Sequence, residues 1–303
     1  MKDIKILNFG SLNIDKNYEV EKIVKDGETI SSTGFFESIG GKGLNQSTAI
    51  KKAGGKIYHA GLVGENDSKI LLDFIKEDEI NSLVEKVAGP SGHAIIQVDQ
   101  SGNNAIIVSP GANGKISKAY VDDVLKNFDK KDFLVIQNEI SNNSYIIEKA
   151  KEREMIIFLN PSPMDEKIND IDLTKIDYLF INESEAQKLT GRFDPEEIIG
   201  FLKTNYPHLA IILTLGDAGG VYAKGNDFIS FDAYPTELVD STAAGDTFLG
   251  YFVTGLTKGG EISRILNLAS LAASLTCSKK GAAGAIPSLD EVLSHAKSKG
   301  IDL

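Results

Sequence analysis

Short runs rich in Ile, Leu, Val and Phe alternate with segments of helical period along most of this chain, and no other feature restricts the fold as strongly. Residues 4–9, 57–61, 133–137, 156–160, 178–181 and 210–215 are apolar at nearly every position, as strands covered on both faces are. Helical spacing is expected over 43–53, 68–77, 117–128, 144–153, 195–205, 244–256, 261–279 and 289–299. Pro195 suits a first helical turn, with Asp194 as its cap. The order predicts an α/β layered fold with a mostly parallel sheet. Two stretches interrupt it. Residues 14–38 hold the runs 18–23 and 29–37 around Lys25-Asp26-Gly27, and residues 93–109 hold 94–99 and 104–109 around Gln100-Ser101-Gly102-Asn103. Both read as antiparallel hairpins, and together they predict a small β lid over one end of the main sheet.

A chain of 303 residues can bury a sizeable core. No linker, repeat or low-complexity tract divides it, so a single unit over 1–303 is expected, with lid strands at about 14–38 and 93–109 inserted in it. The net charge of −11 argues against nucleic-acid partners and anionic membrane surfaces, which need clustered Lys and Arg. Apolar runs are far too short to span a bilayer, and the opening Met1-Lys2-Asp3-Ile4 carries no signal-like segment. Cys277 is the only cysteine, which excludes a disulfide framework and a cysteine-based zinc site and fits a reducing cytoplasm. The histidines at 59, 93, 208 and 295 lack the spacing of a zinc protease.

The densest glycine cluster is Gly40-Gly41-Lys42-Gly43-Leu44-Asn45-Gln46, at the head of an expected helix. Glycines admit a ligand close to the backbone, and a helix N-terminus offers free N–H donors. The cluster is not a Walker A loop, because Gly43 follows the lysine, nor a dinucleotide fingerprint, because Gln46 stands at the last glycine position. A plain turn is the alternative. Asn13 and Asp15, just past the first strand, are two apart and project to one face of an extended segment. A carboxylate beside an amide can hold adjacent sugar hydroxyls, or the pair can be a solvated turn. Glu139 follows the strand at 133–137 at the same edge and by itself reads as an exposed loop acid.

Residues Asp240-Ser241-Thr242-Ala243-Ala244-Gly245-Asp246-Thr247-Phe248 lead small side chains straight into a helix. Their N–H groups would converge on one anion in front of it. An acid among those donors suits proton removal from a hydroxyl while the amides hold a phosphoryl group; a partner for the helix dipole is the alternative reading of Asp246.

These segments resemble the two signatures of the ribokinase-like carbohydrate kinase family. Between them, Asn182-Glu183-Ser184-Glu185-Ala186 resembles the family's Asn-x-x-Glu motif, and Thr214-Leu215-Gly216-x-x-Gly219 its nucleotide loop. Gly27-Glu28-Thr29, Gly111-Ala112-Asn113 and Lys280-Gly281-Ala282 add to the likeness, which spans essentially the whole chain. Ser241 stands where the family usually has Thr, Leu44 where it has a small residue, and Ala285 where it often has Ser.

The resemblance implies a doubly wound, mostly parallel central sheet flanked by helices, with a small β-sheet lid. It implies ATP-dependent phosphorylation of a sugar, D-ribose at its 5-hydroxyl. A nucleoside, fructose or deoxyribose as acceptor, or a non-catalytic sugar-binding regulator, are the alternatives. By the same likeness Asn13, Asp15, Gly41, Lys42, Asn45 and Glu139 would bind the sugar. Asp246 would be the general base, with Ala243, Ala244 and Gly245 as the anion hole. Asn182 and Glu185 would lie near the ATP phosphates and Mg²⁺, and Thr214, Gly216, Gly219 and Gly245 would border the nucleotide. A monovalent-cation site for K⁺ would fall on Asp240, Thr242, Thr276, Lys279, Gly281 and Ala285, largely through backbone oxygens. A homodimer through exposed lid strands is expected, because unpaired sheet edges invite pairing.

Overall fold

A computed structural model describes residues 4–303, so Met1-Lys2-Asp3 of the opening segment lies outside the described residues. The main sheet has nine strands, in the order β15 (Asp227–Phe231), β14 (Gly220–Lys224), β13 (Ala210–Thr214), β12 (Tyr178–Asn182), β11 (Ile156–Asn160), β10 (Phe133–Gln137), β1 (Ile6–Phe9), β4 (Ile57–Ala60) and β6 (Asn81–Ser82). All pairings from β13 to β6 are parallel; only the β13–β14 and β14–β15 pairings are antiparallel, so β14 alone runs against the rest. Consecutive side chains of the central strands feed opposite cores, Ile6 and Phe133 one layer and Leu7 and Leu134 the other, which is why these runs are apolar on both faces.

One layer holds α3 (Lys118–Leu125), α4 (Asn143–Glu152), α5 (Glu183–Thr190) and α6 (Pro195–Asn205). The other holds α1 (Lys42–Lys52), α2 (Lys69–Glu77), α7 (Ala244–Thr257), α8 (Ile262–Cys277) and α9 (Leu289–Lys299). The doubly wound arrangement is therefore as expected. Asp194 caps α6 ahead of Pro195, accepting from the amides of Glu196 (2.9 Å) and Glu197 (3.1 Å). From β1 the chain runs outward to β4 and β6, then returns to β10 on the other side of β1 and continues to β13. Strand order reverses between β1 and β10, and a crevice opens at such a reversal beyond the carboxyl ends of the strands.

A separate four-stranded sheet follows the order β3 (Gly34–Gly40), β2 (Asn13–Glu19), β8 (Gly92–Val98) and β9 (Asn104–Ser109). Its two antiparallel hairpins join through the parallel pair β2–β8. The second hairpin lies where the sequence places it. The first does not: its arms are Asn13–Glu19 and Gly34–Gly40, not 18–23 and 29–37. Strand β2 pairs on both sides, and that double ladder holds Asn13, Asp15, Lys16 and Asn17 in a strand despite their low strand propensity. A short parallel pair, β5 (Leu62–Gly64) with β7 (Glu85–Val87), completes the sheets of the described residues. Strands β5, β6, β7, β14 and β15 and helix α5 do not appear among the sequence expectations.

Candidate active site

The glycine cluster is explained first by the protein itself. Gly41 precedes α1 with φ 94° and offers no side-chain cap. A side chain at Gly43 would overlap the backbone of Gly10 and Ser11, so the head of α1 rests directly on the loop leaving β1. The first turn of α1 is capped from a distance. The Lys42 amide donates to Glu139 Oε2 at 2.8 Å, the Ser11 hydroxyl donates to the same oxygen, and the Gly43 amide donates to Ser11 Oγ at 3.1 Å. Glu139 is thus a half-buried helix cap rather than an exposed loop acid, because the switch point brings the loops after β1 and β10 together.

Asn13 and Asp15 share one face of β2, as their spacing requires. Asn13 Oδ1 accepts from Asn113 Nδ2 at 2.8 Å, and Asp15 lies over Gly40, where a side chain would overlap its carboxylate. Burial first, then the charge of Glu139, push Asp15 up to about 6. Burial also raises Glu139, although Ser11 and Lys42 oppose it. Lys42 is held above its ordinary value, by Asp246 foremost and also by Glu139 and Glu185, with burial acting against them. One ammonium therefore sits within reach of the fields of three carboxylates.

Helix α7 starts at Ala244, after Ala243 in the left-handed region at φ 63°, and no side chain caps its first turn. Apart from the Ala244 amide, which donates to the Ser241 carbonyl at 3.3 Å, the leading N–H groups of α7 are consequently available to an anion. Asp246 is 4% exposed. Asn45 Nδ2 donates to its Oδ2 at 3.2 Å and Gln46 Nε2 to its Oδ1 at 2.8 Å. Helices α1 and α7 approach so closely that a side chain at Gly250 would overlap Ala49, and this contact carries the amides of α1 to the carboxylate. Asn45 thus turns its nitrogen to Asp246, and its buried Oδ1 has no partner among the described residues.

Asn182 and Thr214 are register partners at the carboxyl ends of β12 and β13. Asn182 and Glu185 form a capping box on α5: Asn182 Oδ1 accepts from the Glu185 amide (2.9 Å) and Glu185 Oε2 accepts from the Asn182 amide (3.1 Å). Glu185 Oε1 is left for another contact. Gly216 and Gly219 adopt φ of 60° and 82° in the turn to β14. Farther on, Asp240 latches two loops. Its Oδ1 accepts from the Thr242 amide (2.9 Å) and hydroxyl (2.6 Å), and its Oδ2 from the Gly281 amide (2.9 Å). Burial alone would raise Asp240, but these bonds prevail and hold it below its ordinary value. Buried Thr276 hydrogen-bonds Thr247 at 3.0 Å, the Lys279 ammonium pairs with Glu291 at 3.3 Å, and Ala285 is buried.

The profile described as pfkB family carbohydrate kinase matches residues 3–289. This chain belongs to that family. The ribokinase of Lactococcus lactis is 30% identical over 99% of both chains, and the deoxyribokinase of Salmonella typhi is 27% identical over 95% of this chain and 97% of that one. Among solved structures, Thermotoga maritima ribokinase superposes with a TM-score of 0.86 at 30% identity, covering 97% of this chain and 99% of that one. Arabidopsis thaliana ribokinase complexed with ribose and ATP gives a TM-score of 0.84 at 28% identity, covering 97% and 98%.

As a pfkB family kinase, the chain gathers its candidate residues in three groups: Asn13, Asp15, Lys42, Asn45, Glu139 and Asp246 around the switch point, Asn182, Glu185 and the Thr214–Gly219 turn beside them, and the Asp240 latch behind the head of α7. Ser11, Gln46, Gln137 and Asn160 also belong here and are missing from the sequence expectations. The signal for two of them is present in the sequence: Gln137 and Asn160 are polar residues closing otherwise apolar strand runs. Among the described residues no cluster of His, Cys, Asp and Glu could hold a metal ion by itself, and no helix is long and apolar enough to cross a membrane.

Proposed function

We propose that this kinase transfers the γ-phosphoryl group of ATP to the 5-hydroxyl of D-ribose, with Asp246 as general base, acting as one domain with the lid inserted in it. The observation that carries this reading is a buried carboxylate at the uncapped head of α7, gripped from behind by two amides. Asp246 would take the hydroxyl proton as that oxygen attacks the γ-phosphorus and ADP leaves. The amides of Ala243, Ala244 and Gly245 would hold the transferring group, where preorganised donors stabilise developing charge. Asn13, Asp15, Lys42, the backbone at Gly41, Asn45 Oδ1 and Glu139 would bind the sugar. Thr214, Gly216 and Gly219 would border the nucleotide.

A magnesium ion would be held chiefly by the phosphates and water, with Glu185 Oε1 reaching it through water; the described residues offer no cluster of carboxylates that would hold it by itself, which fits that mode. It would neutralise phosphate charge. The cation loop would suit K⁺ rather than a divalent ion: its one carboxylate, Asp240, is already hydrogen-bonded to the Gly281 amide, and residues 281–285 are all glycine or alanine, whose small side chains would let backbone carbonyls reach an ion. Phosphotransfer is expected to rise with K⁺ at constant ionic strength, and in Asp240→Ala that response is expected to vanish.

The decisive experiment assays the native enzyme and Asp246→Asn side by side against a sugar panel. A fall in kcat of at least about 10²-fold with little change in sugar affinity is expected; near-normal kcat would refute the role. The full-length match to a deoxyribokinase favours 2-deoxyribose as the second reading. The panel separates the two, since the acceptors differ only in the 2-hydroxyl.

A further inference from the structure

Behind Asp246 runs a row of buried amides that the proposed chemistry leaves unused. Gln46 Nε2 donates to Asp246 Oδ1 at 2.8 Å and to Asn160 Oδ1 at 3.2 Å, while Gln46 Oε1 accepts from Gln137 Nε2 at 2.5 Å. Gln137 Nε2 also donates to Asn8 Oδ1 at 2.9 Å, and Asn8 Nδ2 donates to the Gly43 carbonyl (2.6 Å) and to Ser47 Oγ (2.9 Å). The row ends at fully buried His59, whose Nδ1 meets Ser47 Oγ at 2.7 Å. Asn8, Gln137 and Asn160 stand on the adjacent strands β1, β10 and β11, so the row is braced by the middle of the sheet.

The row has one possible direction. An ionised carboxylate only accepts hydrogen bonds, so Gln46 must present its NH₂ to Asp246 and its Oε1 to Gln137. Turning the Gln46 amide over would set oxygen against carboxylate oxygen and NH₂ against NH₂, inside a core that tolerates neither. The two oxygens of Asp246 are therefore unequal. Oδ1 is fixed by a short bond from a braced donor. Oδ2 has only the longer bond from Asn45 at 3.2 Å. Lys42, whose ammonium feels Asp246 more than any other charge, would draw the carboxylate aside if nothing held it.

We infer that Gln46, braced by Gln137, is a positioning residue that fixes Asp246 through Oδ1 and presents Oδ2 as the oxygen that receives the proton of the acceptor hydroxyl. This rests on Asp246 being the base. Apart from Asp246, the row's side chains bond one another, Ser47, His59 and the Gly43 carbonyl rather than Asn13, Asp15, Lys42 or Glu139, so its loss is expected to reach kcat and spare binding.

Gln46→Met keeps the side-chain volume and removes the donor. In the purified full-length enzyme kcat is expected to fall by about 10²-fold, with KM for sugar and ATP changed by no more than about threefold. Gln137→Met, which leaves the Gln46–Asp246 bond but removes its brace, is expected to lower kcat less and in the same way. Combined with Asp246→Asn, Gln46→Met is expected to add no further loss, because the group it positions is already disabled. Native kcat in folded Gln46→Met, or an additive loss in the double variant, would overturn the inference while leaving the base assignment intact. A near-native kcat in Asp246→Asn alone would instead overturn the base assignment, and this inference with it. Should Gln46→Met fail to fold, unchanged kcat in Gln137→Met would overturn it.

Discussion

Asp15 is placed where a charged carboxylate is disfavoured. Burial and the neighbouring charge of Glu139 lift it to about 6 from an ordinary 3.8. The folded chain therefore holds that proton more tightly than the unfolded chain. The stability this contributes is full below about 3.8 and is lost as pH rises through about 6. Asp15→Asn cannot ionise, so near neutral pH it is expected to unfold at a higher temperature than the native chain, the difference closing at about pH 4. The same variant is expected to bind ribose more weakly by about 2 kcal/mol or more, since it loses a charge-assisted bond to a desolvated hydroxyl. Scanning calorimetry at the two pH values and titration calorimetry with ribose check both halves. A variant less stable than the native chain near neutral pH would make Asp15 a structural anchor. Instability of the free site and affinity for the sugar would then be one property: hydroxyl donors would supply what burial has removed.

At the scale of elements, two glycines that look alike in sequence have opposite reasons. A side chain at Gly43 would overlap the backbone of Gly10 and Ser11, whereas one at Gly245 would meet nothing within 4 Å. Gly43→Ala must lift the head of α1 off the loop after β1, carrying Asn45 and Gln46 away from Asp246. A loss of about 1–3 kcal/mol in stability is expected, with a fall in kcat. Gly245→Ala, in the helix and free of neighbours, is expected not to destabilise the fold but to impair turnover with ATP, because on the proposed reading its side chain would enter the space of the phosphoryl group. Chemical denaturation beside steady-state kinetics checks the pair; equal destabilisation in both would remove the distinction. The sequence cluster left open whether its glycines serve a turn or a ligand, since φ angles and close approaches are tertiary facts. The central strands were legible because burial on both faces writes itself as continuous apolar runs. The first lid hairpin was misplaced because a ladder on both sides of β2 outweighs the polarity of Asn13 to Asn17. The amide row was out of reach because its bonds join residues as far apart as Gln46 and Asp246, 200 positions along the chain.

At the scale of the whole molecule, the same topology that assembles the candidate site leaves one surface unfinished. All four lid strands have one end in the body, β3 running straight into α1, and the strand order puts β3 and β9 at the two free edges of the lid. Those edges are apolar where edge strands are usually guarded by charge: Phe35 is 54%, Ile106 53%, Ile107 64% and Val108 58% exposed. The register sets Asp15 opposite Ala94 and Ala94 opposite Val108, so Val108 and Ile106 continue the face that carries the candidate sugar acid, while Ile107 and Phe35 stand on the opposite face. Covering that edge with a second lid would also shield Asp15 from water, which links assembly to the sugar site. Ile107→Glu combined with Val108→Lys places charges where the side chains are already in solvent, so the fold is expected to persist. Sedimentation is expected to give a dimer for the native chain and a monomer for this variant, and the monomer is expected to show a raised KM for sugar with the KM for ATP little changed. A native chain that sediments as a monomer at micromolar concentration, or a variant that stays dimeric, would place any self-association elsewhere on the surface.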